Sequence, residues 1–179
     1  MGTEHREGVG GWQKPGFGVL KLNCDVAWRR HTNEGEVRWV LRDFARIPKF
    51  AGREGRGWFG SAIMAEAEAV HQGLEAVVGS GMGSSFRLMV KSDSKGLIQM
   101  INKEVAIDVI LEIYLQDIWR MASLFQSVRF CFTPHHCNRV AHFIAGYVVK
   151  HGGRFGWDEL GPEFLFNILA KDAYVTIRI

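Results

Sequence analysis

Apolar and polar side chains alternate along residues 19–26, and this two-residue period predicts a β-strand. The apolar face consists of Leu20, Leu22, Cys24 and Val26, and the polar face of Lys21, Asn23 and Asp25. A strand of this kind has one face in the core and the other in water. The pattern therefore predicts a half-buried strand that begins soon after residue 16.

The same analysis predicts the remaining elements of the chain. A second strand over 36–44 and an aromatic, glycine-rich third strand over 49–60 follow at short spacing, which favours an antiparallel meander. Ser61 predicts the N-cap of a long helix that ends at Gly79. The further predicted elements are a strand over 86–92, helices over 94–103 and 108–124, a strand over 128–132 and a helix over 138–150.

Three strands followed by alternating helices and strands predict an α/β fold, in which helices flank a mixed sheet. Residues 1–16 are polar and glycine-rich, which predicts a flexible lead-in. The domain proper is predicted to span residues 17–151. Residues 152–179 form a C-terminal extension that is too apolar for a disordered tail, so we expect it to lie against a surface.

Composition narrows the class of protein. The chain has 179 residues, 47% of them hydrophobic and 23% charged, which fits one globular domain and excludes general disorder. No apolar run approaches the roughly 20 residues of a membrane span, and the first residues lack a secretory signal. Three cysteines cannot all pair within the chain, which fits a reducing compartment. We therefore expect an intracellular protein, nuclear or cytoplasmic, without membrane contact.

Positive charge is concentrated in the first third of the chain. Residues 1–60 contain 11 Lys and Arg against 7 Asp and Glu, a net charge of +4, whereas the whole chain has +3. A local excess of this size can attract a polyanion but does not by itself indicate nucleic-acid binding.

Three carboxylates occupy positions that suggest a shared site. Asp25 lies near the end of the first strand and Asp93 just after the fourth. Glu66 lies at the border of the buried stripe of the long helix, whereas Glu68 faces water at about 100° per residue. Carboxylates on one rim repel each other unless a hard cation neutralises them. The structural alternatives are a solvated strand end for Asp25, a helix cap for Asp93 and a first-turn charge for Glu66.

Five short motifs, in order, resemble the plant ribonuclease H-like family, whose members are type 1 ribonuclease H domains related to those of retroelement reverse transcriptases. The motifs are Lys21-Leu22-Asn23-Cys24-Asp25, Val40-Leu41-Arg42-Asp43, Ala65-Glu66-Ala67-Glu68-Ala69-Val70, Lys91-Ser92-Asp93-Ser94 and Asn138-Arg139-Val140-Ala141-His142. The resemblance implies a five-stranded mixed sheet whose first three strands are antiparallel.

The resemblance also implies an activity. Members of this family bind two divalent ions, Mg²⁺ or Mn²⁺, and hydrolyse the RNA strand of RNA–DNA hybrids. The matching catalytic and metal-binding positions here are Asp25, Glu66 and Asp93. The fourth carboxylate of active members falls on His142, and a neutral imidazole is a poor ligand for Mg²⁺. The alternative is therefore a catalytically weak or inactive module that binds nucleic acid or protein through the same fold.

Contacts with the nucleic acid are predicted from the basic first third of the chain and from the last motif. Arg29, Arg30 and Arg56 are candidates for phosphate contacts, Trp28 for base stacking, and Asn138 for a further contact. A partner protein and an oligomeric state do not follow from the sequence.

A zinc site and a cysteine nucleophile are two further interpretations that the sequence supports less well. Cys131, His135, His136, Cys137 and His142 are possible zinc ligands, but their spacing includes no CxxC pair. Cys24 as a nucleophile is disfavoured because it lies on the apolar face of the first strand.

Overall fold

The structure, a computed structural model, describes residues 17–45, 48–82, 85–135, 138 and 155–156, with the backbone alone at 48, 53–56 and 155–156. The elements in chain order are β1 (Val19–Arg29), β2 (Glu34–Arg42), β3 (Pro48–Trp58), α1 (Ala62–Gly79), β4 (Arg87–Ser92), α2 (Lys95–Ile101), a 3₁₀ turn (Val109–Leu111), α3 (Glu112–Ala122), β5 (Ser127–Phe132) and β6 (Phe155–Gly156).

The strands form one mixed sheet in the order β5-β4-β1-β2-β3-β6. β1 pairs antiparallel with β2, and β2 antiparallel with β3, whereas β4 runs parallel to both β1 and β5. The predicted α/β class, with an antiparallel meander extended by parallel strands, is confirmed. The predicted count of five strands is corrected to six, because Phe155–Gly156 pairs with residues 50–51 of β3. A two-residue strand is too short to produce a periodic pattern.

Helix α1 packs across β1 and β2 and forms the centre of the core. Ser61 caps it as predicted, its hydroxyl accepting a hydrogen bond from the Met64 amide at 3.3 Å. Its fully buried residues include Ala65, Ala67, Ala69, Val70, Leu74 and Val77. Small residues allow a helix to approach a sheet closely, and a Cβ placed on Gly73 would lie 3.1 Å from Cys24 Sγ and 3.1 Å from Leu22 Cδ2.

Helix α3 packs alongside α1 and is shorter than predicted. The predicted helix over 108–124 begins as a 3₁₀ turn, in which the Asp108 carboxylate accepts a hydrogen bond from the Ile110 amide at 3.0 Å. Leu115 and Ile118 are fully buried against α1. Trp119 is half-buried at the core's edge, and its indole N–H donates to the Ile101 carbonyl at 3.0 Å.

The polar face of β1 is buried, and the predicted half-buried strand is therefore wrong. Lys21, Asn23 and Asp25 are 1%, 1% and 2% exposed. The Asn23 carbonyl oxygen accepts a hydrogen bond from Arg42 at 3.2 Å, and its amide donates to Asn138 at 2.8 Å. Alternation shows which side chains share a face, but it does not show whether polar partners from distant parts of the chain cover that face.

Several predicted segments lie outside the described residues. These are the lead-in over 1–16, nearly all of the helix over 138–150, and the extension over 152–179 except for its two residues in β6. Within the part of the chain that the structure describes, no helix combines the length and apolar character needed to cross a membrane.

Candidate active site

Asp25 lies on the second face of β1, opposite the face that contacts α1. Its register partner on β2 is Arg38, whose Nη1 lies 3.9 Å from Asp25 Oδ2. The Arg38 guanidinium also contacts the Glu36 carboxylate at 3.4 Å. At 2% exposure, Asp25 is not the solvated strand end of the structural alternative. The pairing of β1 with β2 therefore fixes the Asp25 carboxylate and the Arg38 guanidinium beside each other.

Asp93 follows β4 immediately, as predicted. β4 runs parallel to β1 with Asn23 opposite Lys91, so the next positions on the same face bring Asp93 to the edge that holds Asp25. Parallel neighbours present their carboxyl ends at one edge of the sheet, which is where α/β proteins bind ligands. Ser94 lies at the N-cap position of α2, but its side chain makes no capping hydrogen bond.

Glu66 joins this edge from α1. It lies beyond the first turn of the helix, so the first-turn alternative does not describe it. Its carboxyl accepts a hydrogen bond from Ser92 Oγ at 3.0 Å, and Ser92 Oγ in turn accepts one from the Ser94 amide at 3.1 Å. Ser92 therefore connects the end of β4 to α1 beside Asp93.

The pKa of Glu66 reflects its burial and the proximity of the other two carboxylates. Burial raises the pKa of Glu66 to about 9, and the charge of Asp93 adds to the rise. The Ser92 hydrogen bond lowers that pKa, while the charge of Asp25 and a hydrogen bond with Asp93 raise it further. The three carboxyl groups consequently lie close enough to disfavour ionisation of all of them together without a cation.

Glu68 lies away from this site, on the side of α1 that faces α3. It is half-buried rather than in open water as predicted, because it accepts a hydrogen bond from Gln72 and lies against Tyr114. Burial and then the charge of Glu68 raise the pKa of the Tyr114 hydroxyl. The angle of Glu68 on α1 predicted exposure to water because it did not include α3, which packs against that side of α1.

His135 lies beside the carboxylates, whereas the sequence suggested it only as a possible zinc ligand. Its Nδ1 lies 2.8 Å from Asp93 Oδ2, and this hydrogen bond, with the charges of Asp93 and Asp25, raises the pKa of the imidazole although burial opposes the rise. Ligand atoms of Asp25, Asp93 and His135 all lie within 4.8 Å of one another. A signal was present: β5 is the parallel neighbour of β4, so the residues after β5 return to the edge where Asp93 lies.

Of the other predicted site residues, His142 and the side chain of Arg56 lie outside the described residues. Asn138 is 2% exposed, and its amide donates to the Cys24 carbonyl at 2.9 Å while its oxygen accepts from Asn23. These hydrogen bonds tie the segment after β5 to β1. Asn138 is therefore held inside the fold and not at the surface.

The predicted nucleic-acid contacts on β1 lie at its far end. Arg29 and Arg30 are exposed, and Arg29 follows Asp25 by four residues on the same face, a distance of roughly 13 Å along a strand. Trp28 is half-buried, and its indole N–H donates to the Phe59 carbonyl at 3.3 Å. Trp58, in contrast, is 77% exposed.

A cavity of about 70 Å³ lies between the paired ends of β1 and β2, and its charged lining residues are Arg29, Glu34, Glu36 and Arg38. Sites for small molecules usually measure about 300–1,000 Å³. This cavity is therefore too small to enclose a substrate, and Asp25, Glu66 and Asp93 are not among the residues that line it.

The alternative chemistries receive little support. Cys24 is fully buried, and burial raises the pKa of its thiol well above the usual range, which disfavours a nucleophilic thiolate. Cys131 lies on β5, while His136, Cys137 and His142 lie outside the described residues. Among the described residues, His135 groups with Asp25 and Asp93 and not with another of the candidate zinc ligands.

Residues 23–148 match the model of a protein family described as reverse transcriptase-like, which covers more than half of the chain. The chain belongs to the reverse transcriptase-like family. The matched range includes all of the carboxylates described above and extends through His135 and His142. No curated protein sequence matches the chain significantly.

Solved structures of type 1 ribonucleases H have the same fold. RNase H1 of the halophilic archaeon Halobacterium salinarum NRC-1 is 19% identical with a TM-score of 0.63, over 75% of this chain and all of that one. LC11-RNase H1 in complex with an RNA/DNA hybrid is 16% identical with a TM-score of 0.59, over 69% of this chain and 91% of that one. LC9-RNase H1, a type 1 enzyme with the type 2 active-site motif, is 12% identical with a TM-score of 0.60, over 93% of this chain and 88% of that one. This member of the reverse transcriptase-like family therefore has a ribonuclease H-like fold.

Proposed function

We propose that this chain binds nucleic acid and hydrolyses the RNA strand of RNA–DNA hybrids, with divalent cations held by Asp25, Glu66 and Asp93. The observation that carries the proposal is the convergence of these three carboxyl groups, from β1, α1 and the end of β4, at one edge of the sheet. These groups come from distant parts of the chain. Their proximity is electrostatically unfavourable, because each buried carboxylate raises the free energy of the others.

The residues present fit a divalent cation. Burial, with the charges of Asp93 and Asp25, favours the protonated form of Glu66, and a bound cation would favour the ionised form instead. Carboxylate oxygens suit Mg²⁺ and Mn²⁺, whereas an imidazole nitrogen suits Mn²⁺ better than Mg²⁺. Because His135 offers a nitrogen beside Asp25 and Asp93, we propose that Mn²⁺ is bound more tightly than Mg²⁺, and His142 as a fourth position would act in the same direction.

When bound, such cations activate a water molecule and stabilise the leaving oxygen of a phosphodiester. The protein's own residues hold the site for this chemistry. Ser92 orients Glu66 through its hydroxyl, and His135 orients Asp93 through Nδ1. The His135 side chain is 71% exposed, so a proton that it holds can exchange with a bound substrate or with water.

Positive charge beyond the carboxylates supports a polymeric, anionic substrate. Exposed Arg29 and Arg30 lie at the end of β1 and directly after it, where they would contact phosphates. Trp58, with 77% exposure on β3, is a better stacking candidate than the half-buried Trp28. The structural neighbour solved with an RNA/DNA hybrid supports a hybrid as the first substrate to test.

We also propose a plant, retroelement-derived origin of the domain, a nuclear or cytoplasmic location, and a division of the chain into residues 1–16, 17–151 and 152–179. The order of the five motifs supports the origin, and the odd cysteine count supports the reducing compartment.

Cleavage of an end-labelled RNA–DNA hybrid tests the proposed function. We expect the purified chain to cut the RNA strand in Mn²⁺ and more slowly in Mg²⁺, with single-stranded RNA and duplex DNA left intact. Asp93→Asn should lower the rate at least about 100-fold, because it removes a charge needed to hold the cation. Asp117→Asn, at a partly exposed carboxylate on α3 paired with Arg120, is the matched control and should leave the rate unchanged.

The alternative function makes a different prediction in the same assay. A module that only binds would shift the hybrid in a gel at low salt without any cleavage in either cation. Hybrid binding with no cleavage over a long time course in Mn²⁺ would replace the proposed hydrolysis by this alternative.

A further inference from the structure

A group of apolar side chains between α2 and α3 is exposed to solvent. We call it the 105–113 patch, and its members are Val105, Ile107, Val109, Ile110 and Ile113, which are 43%, 39%, 81%, 63% and 79% exposed. Five exposed apolar residues fall within nine positions, a local concentration unlike the scattered single exposed apolar residues that are normal on proteins.

The patch is not the core-facing side of its own helix. Leu111 and Leu115 lie on that side and are fully buried. Val109 and Ile113 are four residues apart on the opposite side, where a helix of a soluble protein ordinarily carries polar groups. Farther along α3 the same side carries Gln116 and Arg120, so the apolar character is limited to the first turn and the segment before it.

Negative charge surrounds the patch. Glu104, Asp108 and Glu112 are all exposed, and none of them forms an ion pair with another described residue. The nearby cations have other contacts: the Lys103 ammonium lies 4.7 Å from the centre of the Trp119 ring, and Arg120 pairs with Asp117 at 3.3 Å. The surface is therefore apolar with an acidic rim.

This charge limits what the patch can bind. The phosphates of a nucleic acid and the headgroups of an anionic membrane would be repelled by the rim. Two copies of the chain that met through this patch about a two-fold axis would bring two acidic surfaces together, which like charges disfavour. A protein segment with an apolar ridge and flanking lysines or arginines matches both properties.

We propose that the 105–113 patch is a docking surface for a partner protein that presents a basic amphipathic helix. The proposal is independent of the hydrolysis proposed above, because it uses neither the carboxylates of the site nor a cation. The apolar ridge would cover Val109, Ile110 and Ile113, and the flanking basic groups would pair with Glu104 and Glu112.

Fluorescence anisotropy with designed peptides tests this docking surface. The probes are a labelled amphipathic helix of leucine and lysine, about 14 residues long, the same helix with glutamate for lysine, and a peptide of leucine and lysine in scrambled order. We expect the ordered lysine peptide to bind the full chain at least about tenfold more tightly than either other peptide. The combined variant Val109→Ser/Ile113→Ser should lose this preference, whereas Leu124→Ser, at a 48% exposed apolar residue outside the patch, should retain it.

A charge-reversed variant provides a second test that does not depend on apolar residues. Glu104→Lys/Glu112→Lys should favour the glutamate peptide over the lysine peptide. Equal binding of ordered and scrambled lysine peptides, or binding that survives Val109→Ser/Ile113→Ser, would overturn the proposal. Sedimentation of a dimer that Ile113→Ser dissolves would also overturn it, in favour of a second copy of the chain.

Discussion

At the scale of single residues, the Arg38 side chain places a positive charge beside Asp25. Its side chain is only 10% exposed, and it lies between Asp25 at 3.9 Å and Glu36 at 3.4 Å. A fixed cation at this distance offsets part of the negative charge that would attract a metal ion. Arg38 should therefore weaken cation binding while it keeps the ion-free site stable.

Replacement of Arg38 tests this balance. Arg38→Gln should bind Mn²⁺ about tenfold more tightly than the unmodified chain, a difference of about 1.4 kcal/mol, as measured by isothermal titration calorimetry. Arg87→Gln, at an exposed arginine that contacts the Phe17 carbonyl at the opposite end of β4, is the control and should not change the affinity. Equal or weaker binding by Arg38→Gln would show that Arg38 does not compete with the cation.

The raised pKa of Glu66 predicts how stability depends on pH. An unfolded glutamate has a pKa near 4.5 and the folded one about 9, so between these values the folded state binds the extra proton. The stability that this proton contributes is complete below pH 4.5 and is lost as the pH rises towards 9. The melting temperature of the cation-free protein in EDTA should accordingly fall between pH 5 and 9, beyond any fall from other groups.

Glu66→Gln separates this residue from the other titrating groups. A glutamine keeps the shape and can accept the Ser92 hydrogen bond, but it cannot ionise. Its melting temperature in EDTA should fall less with pH than that of the unmodified chain, and at pH 8.5 the variant should be the more stable of the two. Parallel pH profiles for the two proteins would mean that Glu66 does not carry the raised pKa.

At the scale of secondary-structure elements, the packing of α1 on the sheet determines where Glu66 lies relative to Ser92 and Asp93. Glu66 and Gly73 belong to the same helix, and Gly73 lets this helix approach β1 at Leu22 and Cys24. If the helix moved outward, the Glu66 carboxyl would leave Ser92 and Asp93. Close packing of these two elements thus connects the core to the proposed chemistry.

Two glycines of α1 provide a matched pair for this contact. Gly73→Ala should destabilise the protein by about 1–2 kcal/mol, because the added methyl group meets Cys24 and Leu22 at 3.1 Å and this exceeds the gain in helix propensity. Gly79→Ala, where a Cβ meets nothing within 4 Å, should stabilise it by about 0.5 kcal/mol. Urea denaturation measures both, and a Gly73→Ala variant as stable as Gly79→Ala would contradict the close approach.

At the scale of the whole molecule, the sequence predicted the parts of the fold that depend on local periodicity. The order of strands and helices and the antiparallel start of the sheet followed from alternation and from the Ser61 cap. The buried polar face of β1 did not follow, because Asn23 is covered by Arg42 and by Asn138, 115 residues away in the chain. Long-range partners of this kind leave no mark on a local pattern.

The candidate site shows the same division. Asp25 and Asp93 could be placed from the ends of their strands, and Glu66 from its angle on the helix. The parallel pairing of β5 with β4 places the residues after Phe132 at this edge, but the contact of His135 with Asp93 depends on the path of the chain there, which has no repeating pattern. The contact of Arg38 with Asp25 could not be predicted either, because it depends on the pairing register of β1 and β2.

The central claim is that Asp25, Glu66 and Asp93 form a cation-binding centre, and a crystal soaked in Mn²⁺ tests it most directly. Anomalous scattering locates manganese independently of activity. The account predicts a manganese peak about 2.0–2.3 Å from carboxylate oxygens of both Asp25 and Asp93, and no peak in crystals of Asp93→Asn. A soaked crystal of the unmodified chain without manganese at these carboxylates would contradict it.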